Sequence, residues 1–230
     1  MSGNPLNSPV HLVRIPDSGV TELLVTFADQ FVLDKIKKGI SVLDIGCGRG
    51  YFCKKMAERG GIVTGVDIVP EEIEAAKKMG ADERITYHCM NAEELETLNA
   101  QFDLIVSRYC YHHLDIPKAQ KGIKASIRPG GRMVVIDCYE KFWSQAGRWY
   151  VMKTAWQAMG TLNMLRILPR LIYFFTPSRV EHVKSDIRRL KMQARYTFEE
   201  VEKFYKTHFP DCEVGKIGCA FFMVWQKPVS

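Results

Sequence analysis

The stretch Val42–Phe52, "VLDIGCGRGYF", runs from four apolar-rich residues into glycines at every second position, Gly46, Gly48 and Gly50. Glycine turns tightly and lets a ligand approach the backbone closely, so a strand, a glycine loop and a helix in succession make a nucleotide-type site. An isolated glycine trio fits equally well a sharp strand-to-helix turn that binds nothing. The flanking residues decide between the two.

Around the loop, apolar strands alternate with amphipathic helices. "SVLDIG" reads as a buried strand, "GYFCKKMAER" as a helix, "GIVTGVDI" as a strand, and "PEEIEAAKKMG" as a helix opened by proline and glutamates and closed by glycine. Next come the strand "RITYHCM", a helical turn at "AEELETL", the strand "FDLIVSRY", a helix over about 115–127, a turn at "RPGG" and the strand "RMVVIDCY". Such alternation predicts an α/β fold with a mostly parallel sheet covered by helices on both faces, and ligands of such sheets bind at the carboxyl ends of the strands. Upstream, Val20, Leu23, Leu24, Phe27, Phe31 and Ile36 predict an amphipathic helix over 18–38, stopped by Gly39. Downstream, Thr197 with Glu200 predicts a capped helix, and "CEVGKIGCAFFMVWQKP" two closing strands, with Gly218 favoured over Gly215 as their turn.

Length and composition keep this within one domain. A chain of 230 residues is below the size at which cores divide, and 47% hydrophobic with 25% charged residues is ordinary for a globular protein. Residues 1–230 are therefore read as one unit: an N-terminal helix at 18–38, a ligand-binding core at 40–139, a helical insertion at 140–196, and a closing helix and strands at 197–228. Seven cysteines without a CxxC pair argue against a zinc ribbon or a disulfide framework. With no signal-peptide pattern and no long apolar run, they point to a reducing, cytoplasmic setting.

The identity of the ligand turns on charge. A dinucleotide loop reads GxGxxG and receives a pyrophosphate. Here the third glycine comes one residue early, and Asp44 stands two residues before the first, where it would repel phosphates and attract a cation. In this respect the stretch resembles the first motif of class I S-adenosylmethionine-dependent methyltransferases, whose cofactor carries an ammonium and a sulfonium. The resemblance implies a Rossmann-like, seven-stranded, mostly parallel sheet with an antiparallel closing strand and a helical lid after the fifth strand. It also implies that Gly46, Cys47, Gly48 and Gly50 wrap the methionine portion of S-adenosyl-L-methionine while Asp44 helps to hold its amino group. Asp67, seventeen residues after Gly50 at the end of the second strand, would accept hydrogen bonds from the ribose, with Ile68 beside it. Asp67 is also a plausible helix cap before Pro70. "NAEEL" resembles the usual "DAEEL" at the adenine, placing Asn91 and Ala92 there with Asn91 in place of the acid, and "FDLIVSRYCYHHLD" resembles the fourth strand and its loop, adding Ser107. "HHL" after the fourth strand and the order of landmarks resemble the small-molecule branch that includes ubiquinone and menaquinone C-methyltransferases.

Methyl transfer from a sulfonium is an in-line displacement that needs positioning and exclusion of water, and a base only where the acceptor must lose a proton. His112 and His113 follow the fourth strand, flanked by Tyr109 and Tyr111, and histidine is the side chain suited to a base near neutral pH. Either could instead cap the next helix or pack on the sheet. Asp137 and Tyr139 at the end of the fifth strand are second candidates. No acidic pair accompanies Asp137, so no metal is expected, and Cys110 and Cys138 read as buried small apolar residues.

Residues 140–196 carry a charge of +8 against a net +6 for the whole chain, which leaves −2 for the rest, together with Phe142, Trp143, Trp149, Trp156, Tyr173, Phe174 and Phe175. So much apolar surface calls for burial, as a cap lining a pocket for a small apolar or aromatic acceptor. An anionic membrane surface with a lipid or quinone acceptor is the second expectation, and tRNA the third, because no separate nucleic-acid-binding domain is evident. A paralogue that keeps the fold and transfers nothing is the remaining alternative. Oligomeric state leaves no trace in the sequence.

Overall fold

A computed structural model describes residues 29–80, 82–138, 197–217 and 220–229. Residues 1–28, 81, 139–196, 218–219 and 230 lie outside it, and with them Tyr139, the insertion at 140–196, the expected turn at Gly218 and most of the expected N-terminal helix. Within the described part, the N-terminal helix ends at residue 33 instead of 38. The N–H groups of Lys35 and Ile36 reach back only three residues, to the carbonyls of Val32 and Leu33, so the helix tightens into a turn.

Seven strands form one sheet in the order β3-β2-β1-β4-β5-β7-β6. They are β1 Ser41–Ile45, β2 Ile62–Asp67, β3 Ile85–Cys89, β4 Phe102–Arg108, β5 Ile127–Cys138, β6 Glu213–Ile217 and β7 Ala220–Gln226. The β1–β2, β2–β3, β1–β4 and β4–β5 pairs are parallel, and β7 runs antiparallel to both β5 and β6. This is the predicted α/β architecture with its antiparallel closing strand.

Among the described residues four helices connect the strands: α1 Tyr51–Glu58, α2 Pro70–Lys78, α3 Ile116–Ser126 and α4 Phe198–His208, with 3-10 turns at Ala92–Leu98 and Tyr111–His113. Their placement follows from which residues are apolar. On β1, Leu43 and Ile45 face a core built with Ile116, Ala119 and Ile123 of α3 and Val201 and Tyr205 of α4. Val42, one pleat away, faces the opposite core with Phe52, Cys53, Met56 and Ala57 of α1 and Ile73 of α2. A strand buried on both faces reads as a continuous apolar run, as "SVLDI" does.

Local chemistry sets the ends of the elements. Pro70 opens α2 with Glu71 and Glu72 in its first turn and Lys77 and Lys78 in its last, each charge complementing the helix dipole. The Thr197 hydroxyl accepts the Glu200 N–H at 3.3 Å while the Glu200 carboxylate accepts the Thr197 N–H at 2.8 Å, the expected capping box. One boundary differs from expectation. The "RPGG" turn lies inside β5, which starts directly after α3 and shifts register opposite Phe102 and Leu104, with Gly130 at φ 77° absorbing the bend.

Candidate functional site

The glycine loop sits where β1 ends and α1 begins, between the carboxyl ends of β2 and β4. Gly46, Gly48 and Gly50 adopt φ of 76°, 51° and 77°, the left-handed region that costs any residue with a Cβ. Space adds a second reason at two of them: a Cβ at Gly46 would overlap the Cys110 side chain, and one at Gly50 would overlap the Tyr87 ring and hydroxyl. Gly48 meets nothing closer than a Glu72 oxygen at 3.8 Å, so one side of the loop stays open.

Four of the loop's five N–H groups are already committed. The N–H groups of Gly46 and Cys47 donate to the Val66 carbonyl at 2.8 and 3.0 Å, and that of Gly50 to the Cys47 carbonyl at 3.0 Å. The N–H of Gly48 donates to Asp67 Oδ2 at 2.8 Å, and Asp67 Oδ1 accepts the Val69 N–H at 3.0 Å. Asp67 thus knits β2 to the loop, and each of its oxygens keeps acceptor capacity for a ligand hydroxyl. A cradle whose glycine N–H groups are spent on protein acceptors and whose neighbours are carboxylates suits a cation better than a pyrophosphate.

Asp44 lies beneath the loop, 2% exposed. The Cys53 thiol of α1 donates to its Oδ2 at 3.2 Å. Burial pushes the Asp44 carboxyl up to about 6 from its usual 3.8, the nearby Arg108 charge opposes that rise, and Asp67 and Asp29 reinforce it. Gly65 on β2, in register with Asp44, makes the room: a Cβ there would press on Cys47, Cys53 and Tyr87 at 2.9 to 3.0 Å.

The remaining expected cofactor residues are distributed unevenly. Ile68 is 63% exposed at the end of β2, an apolar surface beside the loop. Asn91 Oδ1 accepts the Glu93 N–H at 3.0 Å and so caps the 3-10 turn at Ala92–Leu98, which gives that side chain a structural duty the sequence did not reveal. Ala92 is buried. Ser107 is in register with Ile45 and its side chain is fully buried, so its hydroxyl points to the face away from Asp44.

The candidate catalytic residues divide likewise. Tyr109 takes φ 52°, an uncommon conformation for a bulky residue, directly after β4. His113 is exposed in the following 3-10 turn, and the side chain of His112 lies outside what the structure describes. Tyr111, expected to flank the histidines, turns instead into the core, 1% exposed, with its ring 5.5 Å from that of Tyr205. Asp137 is 1% exposed near the end of β5, and its charge helps push the Tyr205 phenol upward, after burial as the main cause. Burial pushes the Cys110 thiol up to about 12, which fits a packing role against Gly46. Among the described residues no group of three or more His, Cys, Asp and Glu could hold a metal ion.

Four contributors escaped the sequence reading: Tyr87, Gly65, Tyr205 and the Asp29–Arg108 ion pair. Arg108 carried a signal, a charge ending the apolar strand "FDLIVSR", whereas the others became visible only once strand register and helix packing placed them.

Comparison with known proteins agrees with this geometry. The sequence model of the methyltransferase domain family matches residues 43–135. A ubiquinone biosynthesis O-methyltransferase of Coxiella burnetii is 36% identical over 99 residues, 42% of each chain, and one of Idiomarina loihiensis is 35% identical over 99 residues, 41% of each. The chain therefore spans about two-fifths of the length of these curated relatives. Among solved structures, a SAM-dependent methyltransferase from Aquifex aeolicus aligns with TM-score 0.56 at 18% identity over 93% of this chain and 98% of that one. The plantazolicin methyltransferase BpumL in complex with SAH aligns with TM-score 0.58 at 12% identity over 91% and 84%. At such identities the two structures establish a shared fold.

Proposed function

We propose, from the premise that residues 43–135 form a methyltransferase domain of the class I fold, that this protein moves a methyl group from S-adenosylmethionine to a small, apolar or aromatic acceptor. The observation that carries this is the state of the loop: its N–H groups at Gly46, Cys47, Gly48 and Gly50 are spent on protein acceptors, and carboxylates line its underside and its edge. That donor set fits a ligand bearing an ammonium and a sulfonium. S-adenosylmethionine bound there would supply a methyl group already activated on sulfur.

The chain's own residues then bind and orient. Asp44 offers a negative charge to the ammonium, Asp67 accepts from the ribose hydroxyls, and the exposed side chain of Ile68 with the wall at Ala92 offers apolar contact to the base. Asn91, occupied as a cap, contributes through its backbone. At the carboxyl ends of β4 and β5, Tyr109, His112, His113 and Asp137 border the acceptor, with a histidine taking the acceptor's proton where one must leave. Transfer itself relies on alignment and exclusion of water.

The acceptor class rests on the aromatic composition of residues 140–196, which favours an apolar or aromatic ligand, and on the relatives named for ubiquinone biosynthesis, which make an aromatic hydroxyl the first acceptor to try. Free thiols at Cys47, Cys53, Cys89, Cys110 and Cys212 support a cytoplasmic setting. No helix of the described residues is long and apolar enough to cross a membrane. The test is incubation with methyl-labelled S-adenosylmethionine and, separately, phenolic acceptors, anionic vesicles carrying a polyprenylated phenol, and bulk tRNA. Label in the phenols supports the proposal, label confined to vesicles or RNA redirects it, and none in any fraction of a cell extract contradicts methyl transfer.

A further inference from the structure

Arg108 ends β4, and its position relative to Asp44 is fixed by strand register. Asp44 pairs with Val106 across the parallel β1–β4 ladder, so Arg108, two residues on, points to the same face of the sheet one pleat nearer the carboxyl edge. Val42, Leu104 and Val106 occupy that face with α1, which confirms the direction. The guanidinium is held from two sides. Its Nη1 lies 2.7 Å from Asp29 Oδ1, where Asp29 is 5% exposed, and its Cζ sits 3.7 Å above the Phe52 ring. Asp29 also receives Lys55 at 2.9 Å, so the ion pair is braced by α1 as well. The Nε of Arg108 is buried and has no hydrogen-bond partner among the described residues.

A guanidinium mostly withdrawn from water, paired through Nη1 and with its buried Nε–H unspent, is more than a link between two elements. Clamped in place, it cannot swing away when the loop is empty, and its field falls on the carboxylate beneath the glycines. We propose that Arg108, fixed by Asp29 and Phe52, is a positioning residue of the cofactor site that acts through Asp44, holding it as the carboxylate that receives the ligand's ammonium. The proposal rests on the cofactor reading above. The groups facing Asp44 are few. Cys53 of α1 donates to it, Arg108 of β4 attracts its charge, and Asp67 of β2 and Asp29 of the N-terminal helix repel it. Cys47 of the loop packs nearby, and Tyr87 of β3 and Cys110 after β4, both pushed upward chiefly by burial, add no charge of their own at physiological pH. Arg108 is the one fixed cation in this set, and among its charge effects it is the first to favour the ionised form.

The experiment is the affinity for S-adenosylhomocysteine, measured by calorimetry across pH, in the wild type and in Arg108→Gln, Arg108→Met and Arg108→Lys. In the wild type, affinity falls as pH drops through about 6, where Asp44 takes up its proton. Removing the charge should move that fall upward by about one pH unit or more. Arg108→Gln should therefore lose about fivefold or more of affinity near pH 6 relative to wild type, more at lower pH, and regain most of it by about pH 8. Arg108→Lys keeps a cation and should keep the wild-type profile more closely. Arg108→Met, whose flexible unbranched apolar chain can still pack on Phe52, gives the same test should the amide variant not fold. A loss of affinity by the same factor at every pH in the neutral variants would overturn the proposal and leave Arg108 as a strut. Absence of binding by the wild type at any pH would overturn the cofactor reading itself, a separate and recognisable failure.

Discussion

The Cys53 thiol donates to the Asp44 carboxylate at 3.2 Å, which makes a residue of the first helix the direct support of the acid beneath the glycine loop. That acid is buried, and its carboxyl is raised from 3.8 to about 6, so the folded chain holds the proton more tightly than the unfolded chain does. The contribution of Asp44 to stability therefore falls as pH rises from about 4 to about 6 and stays low above that. Asp44→Asn removes the ionised state while keeping an oxygen that accepts from Cys53. The free variant should be more stable than the wild type at neutral pH, by an amount on the order of 1–3 kcal/mol, yet bind S-adenosylhomocysteine at least tenfold more weakly. Urea denaturation at pH 5 and pH 8 checks the first part, since the gain must be larger at the higher pH. A less stable variant at pH 8 would show that Asp44 is structural.

The three loop glycines should not be equivalent. Gly48→Ala meets only the left-handed backbone penalty of about 1–2 kcal/mol, because the space beyond it is open. Gly50→Ala adds a collision with Tyr87, and Gly46→Ala one with Cys110, so both should cost more than Gly48→Ala in a denaturant titration of the free protein. Equal costs at all three would mean the loop relaxes freely.

Asp67 ties Gly48 and Val69 to the end of β2 as well as facing the ligand. Asp67→Ala removes two charge-assisted hydrogen bonds worth about 1.5–3 kcal/mol each. It should lower S-adenosylhomocysteine affinity by more than tenfold and the free protein's stability as well. Asn91→Ala loses only a cap, about 1 kcal/mol, and should leave affinity within a few-fold of wild type.

His112→Ala and His113→Ala separate base catalysis from positioning. If a histidine takes the acceptor's proton, one of the two variants loses at least a hundredfold in turnover while cofactor affinity stays unchanged. Normal turnover in both would leave alignment alone as the source of rate.

Most of the fold was legible because period and capping were consistent along the chain. The apolar run at β1, the proline and glutamates opening α2, and the Thr197–Glu200 box each act locally, and each element formed where they placed it. The boundaries that moved depend on tertiary contacts. The expected "RPGG" turn became part of β5 because pairing with β4 and β7 extends the ladder through a bulge, and the N-terminal helix stops at residue 33. At the site, the placement of the glycines, Asp44 and Asp67 around one loop was readable from spacing, since a strand-to-helix turn through left-handed backbone dictates glycine there. Tyr111, Ser107 and Asn91 were not, because spacing along the chain does not tell a side chain aimed at the cleft from one aimed at the core or spent on a cap. Arg108 and Asp29 meet across more than seventy residues, a pairing that only the folded register creates.

The central claim, that this loop holds S-adenosylmethionine, is tested most directly by thermal denaturation with and without S-adenosylhomocysteine, in the wild type and in Asp67→Ala. At a hundredfold excess over its dissociation constant the ligand should stabilise the wild type by about 2.7 kcal/mol, and at the same concentration Asp67→Ala should gain clearly less. No shift in the wild type at millimolar ligand, or an equal shift in both proteins, would contradict it.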